Sequence, residues 1–209
     1  MIAVIDYKAG NLKNVAKAFE FINADVLVTQ DPDRILNAQG VVLPGVGAFA
    51  DCMKSLKGLG LDNTVKKVIE KGIPFLGICL GFQILFSFSE ENENNGGVVE
   101  GLGIFKGAVR KFPEDTGLKI PHMGWNRLII EKESPLFEDL PENPYVYFVH
   151  SYYLDAEDKS IVSAKCSYGT VFDAAVSDSL VFGTQFHPEK SGETGIAILK
   201  NFVKVVLKK

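Results

Sequence analysis

Cys79 is bracketed by Gly77 and Gly81, follows the short apolar run Ile73-Pro74-Phe75-Leu76 and leads into Phe82-Gln83-Ile84-Leu85-Phe86, which has helical character. A Gly-x-nucleophile-x-Gly spacing between a strand and a helix is a nucleophile elbow, a turn so sharp that only residues without bulk fit on either side of it. The spacing predicts a thiol exposed at the tip, with the N-terminal end of the following helix favouring the reactive thiolate. A cysteine that attacks an amide also needs a base that can protonate the leaving amine, a group that orients this base, and N–H donors for the oxyanion. Of the three histidines, His122, His150 and His187, only His187 has suitable surroundings, since it follows the strand-like run from Leu180 and begins His187-Pro188-Glu189. Pro188 restricts the backbone, so the Glu189 carboxylate can fold back onto the ring and fix its tautomer. Leu80 offers one oxyanion donor, and Pro44-Gly45-Val46-Gly47 after the run Gly40 to Leu43 offers another. Neither a G-x-G-x-x-G nor a phosphate-loop motif follows any strand, so nucleotide binding has no support.

These groups must be carried by a scaffold, and the pattern of the first ninety or so residues supplies one. β-Branched runs at Ile2 to Ile5, Val26 to Val28, Gly40 to Leu43 and Ile73 to Leu76 alternate with helical spacings at Leu12/Val15/Phe19/Ile22 and Leu61/Val65/Val68/Ile69. This βαβ signature predicts an open, largely parallel twisted sheet flanked by helices. From about Val98 onward strand candidates follow one another, at Ile104 to Val109, Arg127 to Ile130, Tyr145 to Val149, Ile161 to Lys165, Val171 to Val176 and Leu180 to Gln185, so the sheet is expected to become mixed. Apolar Ile196, Leu199, Phe202, Val203 and Val206 then mark an amphipathic helix with a lysine face. In open parallel sheets ligands bind at the carboxyl ends of strands, where Cys79 and His187 would share a crevice.

The 209 residues carry 46% hydrophobic and 23% charged side chains and a formal net charge of −4, as an ordinary globular chain does, and nucleic acid is not expected as a partner. Strand and helix signals run on without a linker, which predicts a single domain over residues 1–209. Cys52, Cys79 and Cys166 are far apart and form no CxxC pair, so neither a disulfide framework nor a metal site is expected, and a reducing cytoplasm fits best. No export signal or membrane span is indicated. The polar segment Ser89 to Gly97 suggests an exposed mobile loop.

With Gly77-Ile78-Cys79-Leu80-Gly81-Phe82-Gln83, His187-Pro188-Glu189 and Pro44-Gly45-Val46-Gly47, the chain resembles the class I, triad-type glutamine amidotransferases, a flavodoxin-like family. Within it, Gly10-Asn11, Pro121-His122-Met123-Gly124-Trp125-Asn126 and Phe186 to Ser191 are most similar to the glutaminase subunits of imidazole glycerol phosphate synthases. Phe82 departs from the methionine common there, an apolar exchange. The resemblance implies Cys79 as nucleophile, His187 as base and acid, Glu189 as its orienter, and the N–H groups of Val46 and Leu80 as the oxyanion hole. It further implies that Gly47, Gln83, Glu91, Ser151 and Tyr152 embrace L-glutamine, and that Asn11, Trp125, Tyr147 and Lys190 lie at the ammonia passage toward a (βα)8 barrel cyclase partner in a heterodimer. His122 and His150 are expected to be structural. Such subunits need no cofactor and stay nearly inactive until the partner binds its ligand, with the Gly45-Val46-Gly47 peptide as the element that has two states. The sequence leaves two alternatives open, a paralogue feeding ammonia to a different synthase and a silent regulatory subunit.

Overall fold

The computed structural model describes residues 1–91, 97–113 and 117–208. Its first half alternates strand and helix: β1 (Ile2–Ile5), α1 (Leu12–Phe21), β2 (Val26–Thr29), α2 (Pro32–Leu36), β3 (Gly40–Gly45), α3 (Phe49–Gly58), α4 (Leu61–Glu70), β4 (Phe75–Cys79) and the single turn α5 (Leu80–Gln83). The second half is rich in strand: β5 (Phe88–Ser89), β6 (Val99–Glu100), β7 (Gly107–Lys111), β8 (His122–Arg127), β9 (Ile129–Ile130), β10 (Tyr145–His150), β11 (Tyr152–Ala156), β12 (Val162–Tyr168), β13 (Thr170–Asp178) and β14 (Val181–Thr184). The long helix α6 (Gly192–Leu207) follows.

The order β2-β1-β3-β4-β14 is parallel throughout, with β14 arriving from far along the chain to pair with β4. Beyond β14 the sheet turns antiparallel through β13, β11 and β7, and β12 with β9 extends from β13. β8 and β10 form a separate antiparallel pair in which Trp125 faces Tyr147 across the strands. β1, β3, β4 and β14 are buried along their whole length, which is why they read as unbroken apolar runs. Alternate residues feed cores on opposite faces. Phe75 joins Tyr7, Leu43, Phe49, Val65 and Phe82 on one side, and Leu76 joins Val4, Phe19, Phe182 and Phe202 on the other.

Three expectations from the sequence are corrected. The elbow helix ends at Gln83 rather than continuing to Phe86, because the N–H groups of Leu85 and Phe86 bond only three residues back, to Phe82 and Gln83, and the carbonyls of Ile84, Leu85 and Phe86 are taken by the N–H groups of Leu102, Ile104 and Gly103. For the same reason the strand expected from Ile104 begins only at Gly107. The run Arg127 to Ile130 is split, its first residue ending β8 and its last two forming β9 in the main sheet, because the N–H of Leu128 still follows the β10 side, on the Pro144 carbonyl, while Ile129 and Ile130 pair with Lys165 and Ala164 of β12. The middle of the polar segment after the elbow, residues 92–96, lies outside the described residues.

The elbow is a backbone-to-backbone contact. A Cβ on Gly81 would overlap the Leu43 carbonyl of β3, and one on Gly77 would come within 2.8 Å of the Gly81 oxygen. Cys79 between them has φ 55° and ψ −110°, a conformation costly for any residue with a side chain. Because the obstacle at Gly81 is backbone, no rotamer change relieves it. Gly81→Ala is therefore expected to lower the melting temperature by at least about 5 °C, measured by circular dichroism; an unchanged midpoint would contradict the contact.

Candidate active site

The carboxyl ends of β3, β4 and β14 lie side by side and deliver Val46 with Gly47, Cys79, and His187, respectively, to one cavity. It encloses about 410 Å³. Of the residues singled out in the sequence, Val46, Gly47, Cys79, Leu80, Gln83, Glu91, Ser151, Tyr152, His187 and Lys190 line it. Glu189 stands behind His187, and its Oε1 lies 2.8 Å from the imidazole Nδ1. Asn11 lies outside the cavity, at the start of α1, where its carbonyl accepts from Asn14 and Val15. Trp125 and Tyr147 are also outside it, with ring centroids 6.3 Å apart, and the Lys190 ammonium sits 5.9 Å above the Tyr147 ring.

Cys79 is buried, at 6% exposure, rather than standing out at the tip, because the β3 loop and the β10–β11 connection wall it in. With α5 only one turn long, the helix dipole expected at the sulfur is small. The strong electrostatic partner is His187. Burial pulls its pKa down, but the Cys79 sulfur and the Glu189 carboxylate outweigh that and raise it to about 10, so the ring is an imidazolium at neutral pH. The side chains of His187 and Glu189 are 3% and 1% exposed. The segment is pinned from both sides, as the His187 N–H donates to the Tyr147 carbonyl at 3.0 Å and the Ser191 hydroxyl donates to the His187 carbonyl at 2.6 Å. His187 Nε2, the atom a leaving amine would need, makes no nitrogen or oxygen hydrogen bond among the described residues, and the Cys79 sulfur is the group that acts on the ring from the cavity side.

Under the β3 loop, the Cys52 thiol lies 3.6 Å from the Val46 carbonyl and 3.6 Å from the Tyr7 hydroxyl. Burial pushes the Cys52 pKa up to about 11, which keeps it a neutral donor. Glu91 accepts from the Phe49 N–H at 2.8 Å, so its carboxylate caps α3, the helix that follows the loop. Two residues at the site were not anticipated. His150 lines the cavity, although it was expected to be structural along with His122. Gln185, fully buried, donates from Nε2 to the Cys79 sulfur at 3.7 Å. Its signal was a polar residue inside the apolar run Val181 to Phe186, which must find a partner once buried.

The family model of the class-I glutamine amidotransferases matches residues 3–206. The chain belongs to this family. Among the amidotransferases it is similar to two curated proteins, each named imidazole glycerol phosphate synthase subunit HisH. That of Thermosynechococcus vestitus is 49% identical over 98% of this chain and 97% of its own. That of Geobacter sulfurreducens is 47% identical over 96% and 97%. The solved structure of PurLQS from Thermotoga maritima, at 22% identity, superposes with a TM-score of 0.73 over 98% of each chain and shares the fold. Among the described residues of this amidotransferase no group of three or more His, Cys, Asp or Glu is placed to hold a metal ion, and no helix is long and apolar enough to cross a membrane.

The raised His187 pKa has a sign that stability measurements can read. A group whose pKa rises on folding stabilises the fold fully below its unfolded value, here 6.5, and loses that contribution as the pH climbs through its folded value of about 10. Urea midpoints of the parent and of His187→Asn are therefore expected to converge as pH rises through this window. A gap that widens instead would contradict the charged imidazole.

Proposed function

We propose that this chain is the glutaminase subunit of an imidazole glycerol phosphate synthase, hydrolysing L-glutamine and passing ammonia to a barrel cyclase. The observation that carries the reading is the meeting of Cys79, His187 and Glu189 at the carboxyl ends of adjacent strands, in a chain nearly half identical to proteins of that name. The Cys79 thiolate attacks the carboxamide carbon, and the carbonyl electrons move to an oxyanion held by the N–H groups of Val46 and Leu80. When the carbonyl re-forms, the C–N bond breaks and ammonia leaves with the proton of the His187 imidazolium. The now neutral ring takes a proton from water, whose hydroxide attacks the γ-glutamyl thioester. Glutamate departs, and thiolate and imidazolium are restored. Glu189 keeps the ring facing the sulfur throughout. Gly47, Gln83, Glu91, Ser151 and Tyr152 surround the glutamine.

The exposed aromatic face of the β8–β10 pair supports the partner assignment. Met123, Trp125 and Tyr145 are 62%, 56% and 52% exposed on neighbouring strands, an apolar patch that a docked subunit would cover. Asn11, Trp125, Tyr147 and Lys190 border the ammonia route into that subunit. The pathway is histidine biosynthesis, the setting is the cytoplasm, and the Gly45-Val46-Gly47 peptide completes the oxyanion hole only when the partner holds its ligand. Glutamate release is accordingly expected to be near background for the chain alone and to rise strongly with the cyclase and its ligand. Cys79→Ala should remove at least about a thousandfold of that stimulated rate. High activity without the partner would overturn the coupling, and turnover by Cys79→Ala would overturn the nucleophile.

A further inference from the structure

A set of buried and part-buried hydrogen bonds runs from the β8–β10 pair to Cys79, and the donor at each step can be worked out atom by atom. The Tyr152 carbonyl can only accept, so His150, at 2.8 Å, donates to it from Nδ1. His150 Nε2 is then an acceptor and receives the Nδ1 proton of His122 at 2.9 Å. His122 Nε2 is in turn left to accept from the Asn126 amide at 3.3 Å. That amide is itself held in one orientation, because its Nδ2 donates to the Ser167 carbonyl and its Oδ1 accepts from the Arg127 N–H. On the other side of the Tyr152 carbonyl, Gln83 donates from Nε2 at 3.0 Å and also donates to Gln185 Oε1 at 2.8 Å. With its oxygen so engaged, Gln185 turns Nε2 toward the Cys79 sulfur at 3.7 Å.

We propose that Gln185 is a positioning residue for the glutaminase reaction, donating to the Cys79 thiolate while its oxygen fixes the Gln83 amide, and that Gln83 and His150 together anchor the Tyr152 carbonyl between them. This rests on Cys79 being the nucleophile. Turning the Gln185 amide over would set its oxygen against the thiolate and two amide N–H groups against each other. Turning Gln83 over would set its oxygen against the Tyr152 carbonyl. Gln185 is 0% exposed, so no solvent can repair either mismatch. Burial lowers the pKa of His122 to about 4 and that of His150 to about 3, so both rings stay in the neutral form that the line requires.

The test follows the rate of Cys79 alkylation by iodoacetamide in the full chain across about pH 6 to 10, with Cys52 and Cys166 resolved by mass spectrometry. His187, Tyr7 and Cys52 face the sulfur, and Glu91, His150 and Lys190 line the cavity beside it; all are kept in the Gln185 variants. Gln185→Leu is expected to alkylate about tenfold more slowly near neutrality and to converge on the parent at high pH, the result of losing a charge-assisted hydrogen bond. Gln185→Glu keeps the volume and the acceptor for Gln83 but loses the donor, and should be slower still. In the activated complex, His150→Leu should raise KM for glutamine, while His150→Asn, which retains a donor at the Nδ1 position, restores most of it. A parental alkylation profile in whichever Gln185 variant folds would overturn the inference and leave the glutaminase reading standing. Retained turnover by Cys79→Ala would instead overturn that reading.

Discussion

Gly81 lies against the Leu43 carbonyl with no room for a side chain, and this approach of α5 to the end of β3 determines where everything reactive goes. It brings the loop carrying Val46 and Gly47 beside Cys79 and Leu80, so that the proposed nucleophile and both candidate oxyanion donors share one cavity wall. The same closeness forces Cys79 into its left-handed conformation, since a chain hugging β3 on one side of the turn and leaving along α5 on the other has no relaxed path. Strain at Cys79 is thus a consequence of the packing that sites it. β14 completes the arrangement by pairing with β4 in register, Thr184 beside Ile78, which sets His187 level with Cys79.

Burying an imidazolium and a carboxylate is expensive, and the surroundings show how the cost is met. The two side chains bond each other at 2.8 Å, and the His187 main chain is tied to Tyr147 and Ser191. The arrangement therefore supplies a fixed counter-charge to the sulfur without needing water to reorganise around it. Cys52 and Tyr7, which lie under the β3 loop, stay neutral, because burial raises the pKa of both and no cation among the described residues offsets it. The same low dielectric that silences those groups strengthens the Cys79–His187–Glu189 interactions.

Features held by neighbours in the chain were legible in the sequence, and features held by distant partners were not. The elbow, β1, α1 and β4 announce themselves by local spacing. The fold-back of Glu189 follows from Pro188 alone. The helix α3 has apolar Phe49, Cys52, Met53 and Leu56 at helical spacing, but Ala48 makes no side-chain cap, and the carboxylate that bonds its first N–H belongs to Glu91, 42 residues on. Gln185 is a sharper case, since its partners Gln83 and Cys79 lie 102 and 106 residues away. A single chain read in order offers only the anomaly of a glutamine in an apolar strand. His150 was read as structural because it occupies a buried position of an alternating strand, and that same position also borders the cavity.

That alternation also explains how the outer surface and Cys79 are joined. On β8 and β10 one set of side chains, including Met123, Trp125 and Tyr145, faces outward, and the other set, His122, Phe148 and His150, faces the core. The two sets share one backbone only a few ångströms thick. The β10 backbone carries the carbonyl that accepts from His187, and β8 carries the amide that starts the line of hydrogen bonds ending on Gln185. The outward face of this pair is thus joined to His187 through β10 and to the hydrogen bonds that end on Gln185 through β8. An isolated two-stranded pair is also weak, and this one leans on β12 and α6 rather than joining the large sheet. The exposed patch and the groups that hold His187 are therefore opposite faces of one small strand pair that lies outside the ladder of the large sheet.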